Sequence, residues 1–107
     1  MAAVCVDWDG TLWRDGDWLP GGLVALAQFQ HDGLRVVVHT ARASYDEGAA
    51  EVRRQLELVG LAAVEVVAKP DAVAYVDDRA VVFDGDWYRA LAAVADLRLA
   101  QRKGGGS

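Results

Sequence analysis

Val4-Cys5-Val6-Asp7-Trp8-Asp9-Gly10-Thr11-Leu12-Trp13 joins a short apolar run to two carboxylates one residue apart and a Gly-Thr turn. Residues 2–6 are apolar or small and read as a strand buried on both faces, with Asp7 at its carboxyl end. Ligands of open α/β sheets bind beyond that edge. Alternate residues of an extended chain share a face, so Asp7 and Asp9 point into one site if the backbone stays extended through Trp8; Gly10 then permits a sharp turn. Carboxylates this close repel unless a cation or a shared proton compensates them, a pattern that suits a hard ion such as Mg²⁺. One can then act as a nucleophile while its neighbour handles protons. The ordinary reading of the same residues is a strand-end turn, because Asp-Gly pairs mark turns in many proteins.

Working outward, Leu12 to Leu19 places tryptophans on both sides of Asp15-Gly16, a short-range hairpin signal that predicts a β-flap beside the site. Pro20-Gly21-Gly22 breaks the chain, and Leu23, Leu26, Ala27 and Gln30 recur at helical spacing, giving a helix over 22–32 that Gly33 stops. Leu34 to His39, with three consecutive valines, reads as a buried second strand that delivers Thr40-Ala41-Arg42 to the edge where Asp7 lies, in a βαβ unit. Ser44 to Glu47 has capping-box spacing, and Ala49, Val52, Leu56 and Val59 line one face of a helix over 45–59. Short strands are expected at 64–67, 73–76 and 81–83, and Asp86 caps a last helix from Trp87 to about Leu99.

The 107 residues suit a single domain over 1–102, and 103–107 read as a linker ending in Gly-Gly-Gly-Ser. Sixteen acids against 11 Lys and Arg give a formal charge of −5, which argues against bulk attraction to nucleic acid or membrane surfaces. No apolar run approaches the length that spans a bilayer, and no leader pattern opens the chain, so the expectation is a soluble cytoplasmic protein. Cys5, the single cysteine, is expected to be a buried, inert thiol.

Taken together, Asp7 and Asp9, Thr40, Lys69, and the adjacent Asp77 and Asp78 form an ordered set at strand ends, and this set resembles the haloacid dehalogenase (HAD) superfamily of phosphotransferases. Asp7-Trp8-Asp9-Gly10-Thr11 matches the family's first motif, Thr40 its second, Lys69 its third and Asp77-Asp78 its fourth, over residues 3–88. The resemblance implies an α/β, three-layer Rossmann-like domain with a mostly parallel sheet, a hairpin flap and no cap domain. It also implies a Mg²⁺-dependent phosphatase that works through an aspartyl-phosphate. Asp7 would attack phosphorus, and Asp9 would protonate the leaving oxygen and later activate water. Asp7, the Asp9 carbonyl and Asp78 would hold the metal with Asp77 behind them, while Thr40, Ala41 and Lys69 would hold the phosphate.

Each residue also has an ordinary reading: a β-branched strand end for Thr40, a solvated loop lysine for Lys69, a charged turn for Asp77-Asp78. Arg14, His39, Arg42 and Arg79 read as surface or structural residues, any of which touches substrate if it borders the pocket, Arg14 and Arg42 foremost. Trp13 and Trp18 are either packing or a substrate platform. One departure stands out, because only Pro70-Asp71-Ala72 separates Lys69 from the expected fourth strand. The chain from 68 to 73 reaches at most about 18 Å, against roughly 19 Å needed to pass under two strands and return. The strand at 64–67 is therefore expected to be vestigial or outside the parallel sheet. An uncapped site admits small phosphomonoesters, nucleotides or polynucleotide ends, and a homo-oligomer is allowed. The competing expectation is a catalytically weak module that binds a phosphorylated ligand or a protein partner, with the flap tryptophans as its contact surface.

Overall fold

The three valines at 36–38 run through the middle of the molecule. The computed structural model describes residues 2–103. In chain order it contains β1 (Ala3–Asp7), the two-residue strands β2 (Trp13–Arg14) and β3 (Asp17–Trp18), α1 (Gly22–His31), β4 (Arg35–Thr40), a 3₁₀ turn (Ala41–Ser44), α2 (Asp46–Leu58), β5 (Glu65–Ala68) and α3 (Trp87–Lys103). Strands β1, β4 and β5 form a parallel sheet in that spatial order, so β4 is central and β1 pairs on one side only. This is a small α/β fold, in agreement with the expected class. No described helix is long and apolar enough to cross a membrane.

The core lies on one face of the sheet. Alternation along the strands turns Val6, Val36, Val38 and Val66 inward, where they join Ala25, Leu26 and Phe29 of α1 and Val52 and Leu56 of α2. The opposite face carries the exposed Cys5, an Arg35–Glu65 ion pair at 2.9 Å and the half-exposed Val67. The expectation of a first strand buried on both faces is therefore corrected, and so is that of a buried thiol: β1 is an edge strand with one packed side. Val37 is buried on the outer face because it sits mid-sheet, between residues 5 and 65 of its neighbours.

The hairpin forms as read. Trp13 stands opposite Trp18, and Asp15 and Gly16 have φ of 54° and 80°, the left-handed pair that a two-residue type I′ turn requires. Both helices after it keep their expected positions within a residue. Ser44 and Glu47 do not form a capping box: the 3₁₀ turn intervenes, and α2 begins after Tyr45 without a side-chain cap. Val59 lies beyond the end of α2 and is substantially exposed. Asp86 does cap α3, its Oδ1 accepting from the Tyr88 and Arg89 amides.

The later strands differ most from expectation. Residues 65–68 are a regular parallel strand beside β4, while 73–76 and 81–83 form no strand. Val73, Val76 and Val82 are exposed at 107%, 101% and 91% of a free residue. The reach argument correctly sees that β5 and a strand on the far side of β1 are incompatible without a crossover helix, but the wrong one is sacrificed. β5 keeps its place because Val64 and Val66 bury against the core, whereas 73–76 has no reachable sheet edge. Val81 and Phe83 instead pack loosely against the core ahead of α3. The last helix runs to Lys103, past the expected end near Leu99 and into the segment 103–107 read as a linker, of which 104–107 lie outside the described residues.

Candidate active site

Three parallel strands end at one edge, and their ends carry the charged residues. Asp7 closes β1 in register with His39 of β4, and Thr40 of β4 is in register with Ala68 of β5. The Lys69 amide donates to the Thr40 carbonyl at 3.1 Å, extending that pairing one step past β5. From there the lysine side chain crosses back over β4, and its Nζ lies 3.7 Å from Asp7 Oδ1. Two interstrand spacings, about 10 Å, lie within reach of a lysine meeting an aspartate halfway.

The loop after Asp7 wraps around one carbonyl. The Trp8 oxygen accepts from the amides of Thr11, Leu12 and Trp13 at 3.3, 2.9 and 2.9 Å, and the Gly10 amide donates to the Trp13 carbonyl at 2.8 Å. The indole of Trp8 is buried beneath, stacked on Trp13 at 5.3 Å and met edge-on by Trp18 at 5.1 Å. Trp13 and Trp18 thus pack the flap onto the Asp7–Asp9 turn, which is the packing alternative for both rings. Trp87 of α3 secures the same loop from behind, its Nε1 donating to the Thr11 carbonyl at 2.9 Å. Arg14 folds back over the loop, since a Cβ on Gly10 would stand 3.8 Å from its Nη2.

Asp9 is engaged by Arg42. Its Oδ2 accepts from Nε at 2.8 Å and its Oδ1 from Nη2 at 2.6 Å, a two-point pair in which both side chains are about half exposed. Those hydrogen bonds raise the guanidinium further above its ordinary value. The backbone beneath is fixed: the Arg42 amide donates to Thr40 Oγ1 at 3.2 Å, which leaves the buried Thr40 hydroxyl its own proton to donate. Beside Arg42 opens a cavity of about 410 Å³, lined by Ala41, Arg42, Ser44, Tyr45, Gly48 and Asp71.

Tyr75 escapes the sequence reading, and His39 enters it only as a surface or structural residue that touches substrate if it borders the pocket. Tyr75 lies under Lys69, with Nζ 3.9 Å from its ring centroid, and its hydroxyl donates to the Pro70 carbonyl. No local pattern marks it; the turn at Pro70 brings it back. His39 has its pKa lowered from 6.5 by burial first and by the nearby Lys69 charge second, with Asp7 partly opposing. Its signal was available, because it precedes Thr40 on a strand predicted to end at the site.

Asp7, Asp9, Thr40, Ala41, Arg42 and Lys69 therefore gather at one edge. Asp77 and Asp78 lie on the exposed segment between β5 and α3, where Asp77 Oδ1 accepts from the Arg79 amide at 2.8 Å. Among the described residues no group of three or more His, Cys, Asp or Glu side chains is arranged to hold a metal ion. Mg²⁺ is usually held by only one or two carboxylates together with waters and substrate phosphate oxygens, so Asp7 is the carboxylate at this edge that would hold one. The two carboxylates are each met by a cation, Asp7 by Lys69 and Asp9 by Arg42. Comparisons with protein-family models, with curated proteins and with solved structures find no match, and the site rests on its own geometry.

Proposed function

We propose that the chain is a phosphomonoester hydrolase that uses Asp7 as nucleophile, on an HAD-like, Rossmann-type frame open to solvent. The observation that carries the reading is the Lys69 ammonium 3.7 Å from Asp7 at the carboxyl edge of a parallel sheet, with Asp9 two residues on. An Asp7 oxygen attacks phosphorus and the ester P–O bond breaks, its electron pair leaving on the alcohol oxygen, which takes a proton from the acid form of Asp9. The Asp9 carboxylate then accepts a proton from water as that water attacks phosphorus. The bond to Asp7 breaks, which restores the carboxylate and releases inorganic phosphate. Lys69, Arg42 and the Thr40 hydroxyl are the groups able to meet the developing charge on the phosphoryl oxygens.

The test is a turnover screen over small phosphomonoesters, nucleotides and phosphorylated oligonucleotides, with and without Mg²⁺, for the native chain and for Asp7→Asn. Turnover is expected in the native chain and abolished in Asp7→Asn, with the fold retained because the substitution preserves shape, and with the thermal midpoint unchanged or slightly lowered because Lys69 loses its charged partner. Turnover retained by Asp7→Asn would remove the covalent mechanism. A second reading, a module that binds a phosphorylated ligand without turning it over, is favoured by the chain passing from β5 to the segment that carries Asp77 and Asp78 without an intervening helix. Binding of phosphomonoesters with no turnover in any condition would select it.

A further inference from the structure

We propose that Arg42 is a latch on Asp9 that a bound phosphate monoester releases. The inference rests on the phosphomonoester reading above and adds a moving part to it. In the free chain both Asp9 oxygens are taken up by the Arg42 fork, at 2.8 and 2.6 Å, so Asp9 is committed to a partner before any substrate arrives. The pair is also exposed, at 44% and 52% for the two side chains, and ion pairs in water contribute little. The planar guanidinium that matches a carboxylate matches a phosphate equally well. A phosphate held near Lys69 and Thr40 therefore competes with Asp9 for the same donors.

Only the side chain is free to respond. The Arg42 amide is tied to Thr40 Oγ1, and its carbonyl is wedged beneath α2 so closely that a Cβ on Gly48 would lie 2.2 Å from it. The cavity beside it offers room for the guanidinium to swing without backbone movement. Lys69 is the contrasting case: its side chain is 14% exposed and held between Asp7 and the Tyr75 ring, a fixed cation rather than a moving one. Release of Arg42 frees both Asp9 oxygens at the step where Asp9 is needed and brings the guanidinium to the phosphate.

The experiment is an NMR titration of the native chain with inorganic phosphate, following the Arg42 Nε–Hε resonance, the Asp9 carboxyl carbon and the Lys69 Nζ group. A cycle of binding measurements on Asp9→Asn, Arg42→Gln and the double variant accompanies it. The Arg42 and Asp9 signals are expected to move together, with one dissociation constant shared with Lys69. Asp9→Asn should tighten phosphate binding about two- to fivefold more when Arg42 is present than when it is glutamine, the size of an exposed ion pair no longer to be broken. An Arg42 signal that stays put while Lys69 responds overturns the latch and leaves the phosphate site standing. Equal gains from Asp9→Asn in both backgrounds also overturn it, since simple charge repulsion then explains them. No response at any of the three groups up to tens of millimolar phosphate removes the phosphomonoester reading and the latch together.

Discussion

Replacing Gly48 by alanine sets two well-known effects against each other, and the structure decides the sign. Gly48 is in the first turn of α2, where alanine is the better helix former by up to about 1 kcal/mol. Against that, the new Cβ would lie 2.2 Å from the Arg42 carbonyl oxygen, 3.0 Å from its carbon and 3.2 Å from the Arg42 Cβ. Ordinary contact begins near 3.4 Å, so more than 1 Å must be absorbed by backbone that is tied to Thr40 on one side and to α2 on the other. Overpacking of this kind costs about 1–3 kcal/mol, occasionally more. The net expectation is a loss of about 1–2 kcal/mol, or a thermal midpoint lower by about 4–16 °C in a chain of this size. Thermal and urea melts followed by circular dichroism measure it. A Gly48→Ala chain as stable as the native one, or more stable, would refute the close seating of α2 on the turn that carries Arg42.

Trp87→Phe keeps most of the ring packing against Phe29 and Phe83 but leaves the Thr11 carbonyl without its indole donor; a loss of about 1–3 kcal/mol is expected, read as a lower urea midpoint at unchanged slope. Gly16→Val meets nothing within 4 Å, so its cost is the strain of a β-branched residue at φ 80°, about 1–3 kcal/mol; the near-ultraviolet signal of the three clustered tryptophans should weaken while the main melt is largely kept, and an unchanged signal would dissociate the turn from the aromatic cluster. His39 should titrate below 6.5 by NMR, and higher in Lys69→Met, which removes a charge that lowers it. Because the unfolded chain then binds the His39 proton more readily than the native one, this residue's contribution to stability falls as pH drops below 6.5 towards the lowered native value.

The pairing of Asp7 with Lys69 and of Asp9 with Arg42 has a consequence for how the site is charged. The acidic composition of the chain suggests repulsion of anionic ligands at long range, yet Lys69 and Arg42 make the strand edge locally balanced. A phosphate dianion approaching this edge meets two cations whose partners it can replace, which is the electrostatic condition for binding an anion next to two carboxylates.

The sequence alone determined what local and nearest-neighbour physics controls. A β-branched run specified β4, helical spacing between glycine stops specified α1 and α2, and Asp15-Gly16 specified a type I′ turn with Trp13 across from Trp18. It also placed Asp7, Asp9 and Thr40 at strand ends, because a parallel strand followed by a helix and another strand brings successive carboxyl ends to one edge. Tertiary structure decided the rest. Whether 64–67 or 73–76 joined the sheet depended on which apolar side chains found a core to enter, and Val64 and Val66 did while Val73 and Val76 did not. The burial of one face of β1 and the exposure of Cys5 followed from the same choice, since an edge strand packed by helices on one side leaves alternate residues in water. The partners of Asp7 and Asp9 were likewise undecided by pattern: carboxylates two residues apart call for positive charge, but only the folded chain, carrying Lys69 across β4 and fixing the Arg42 backbone under α2, brought those two cations against them.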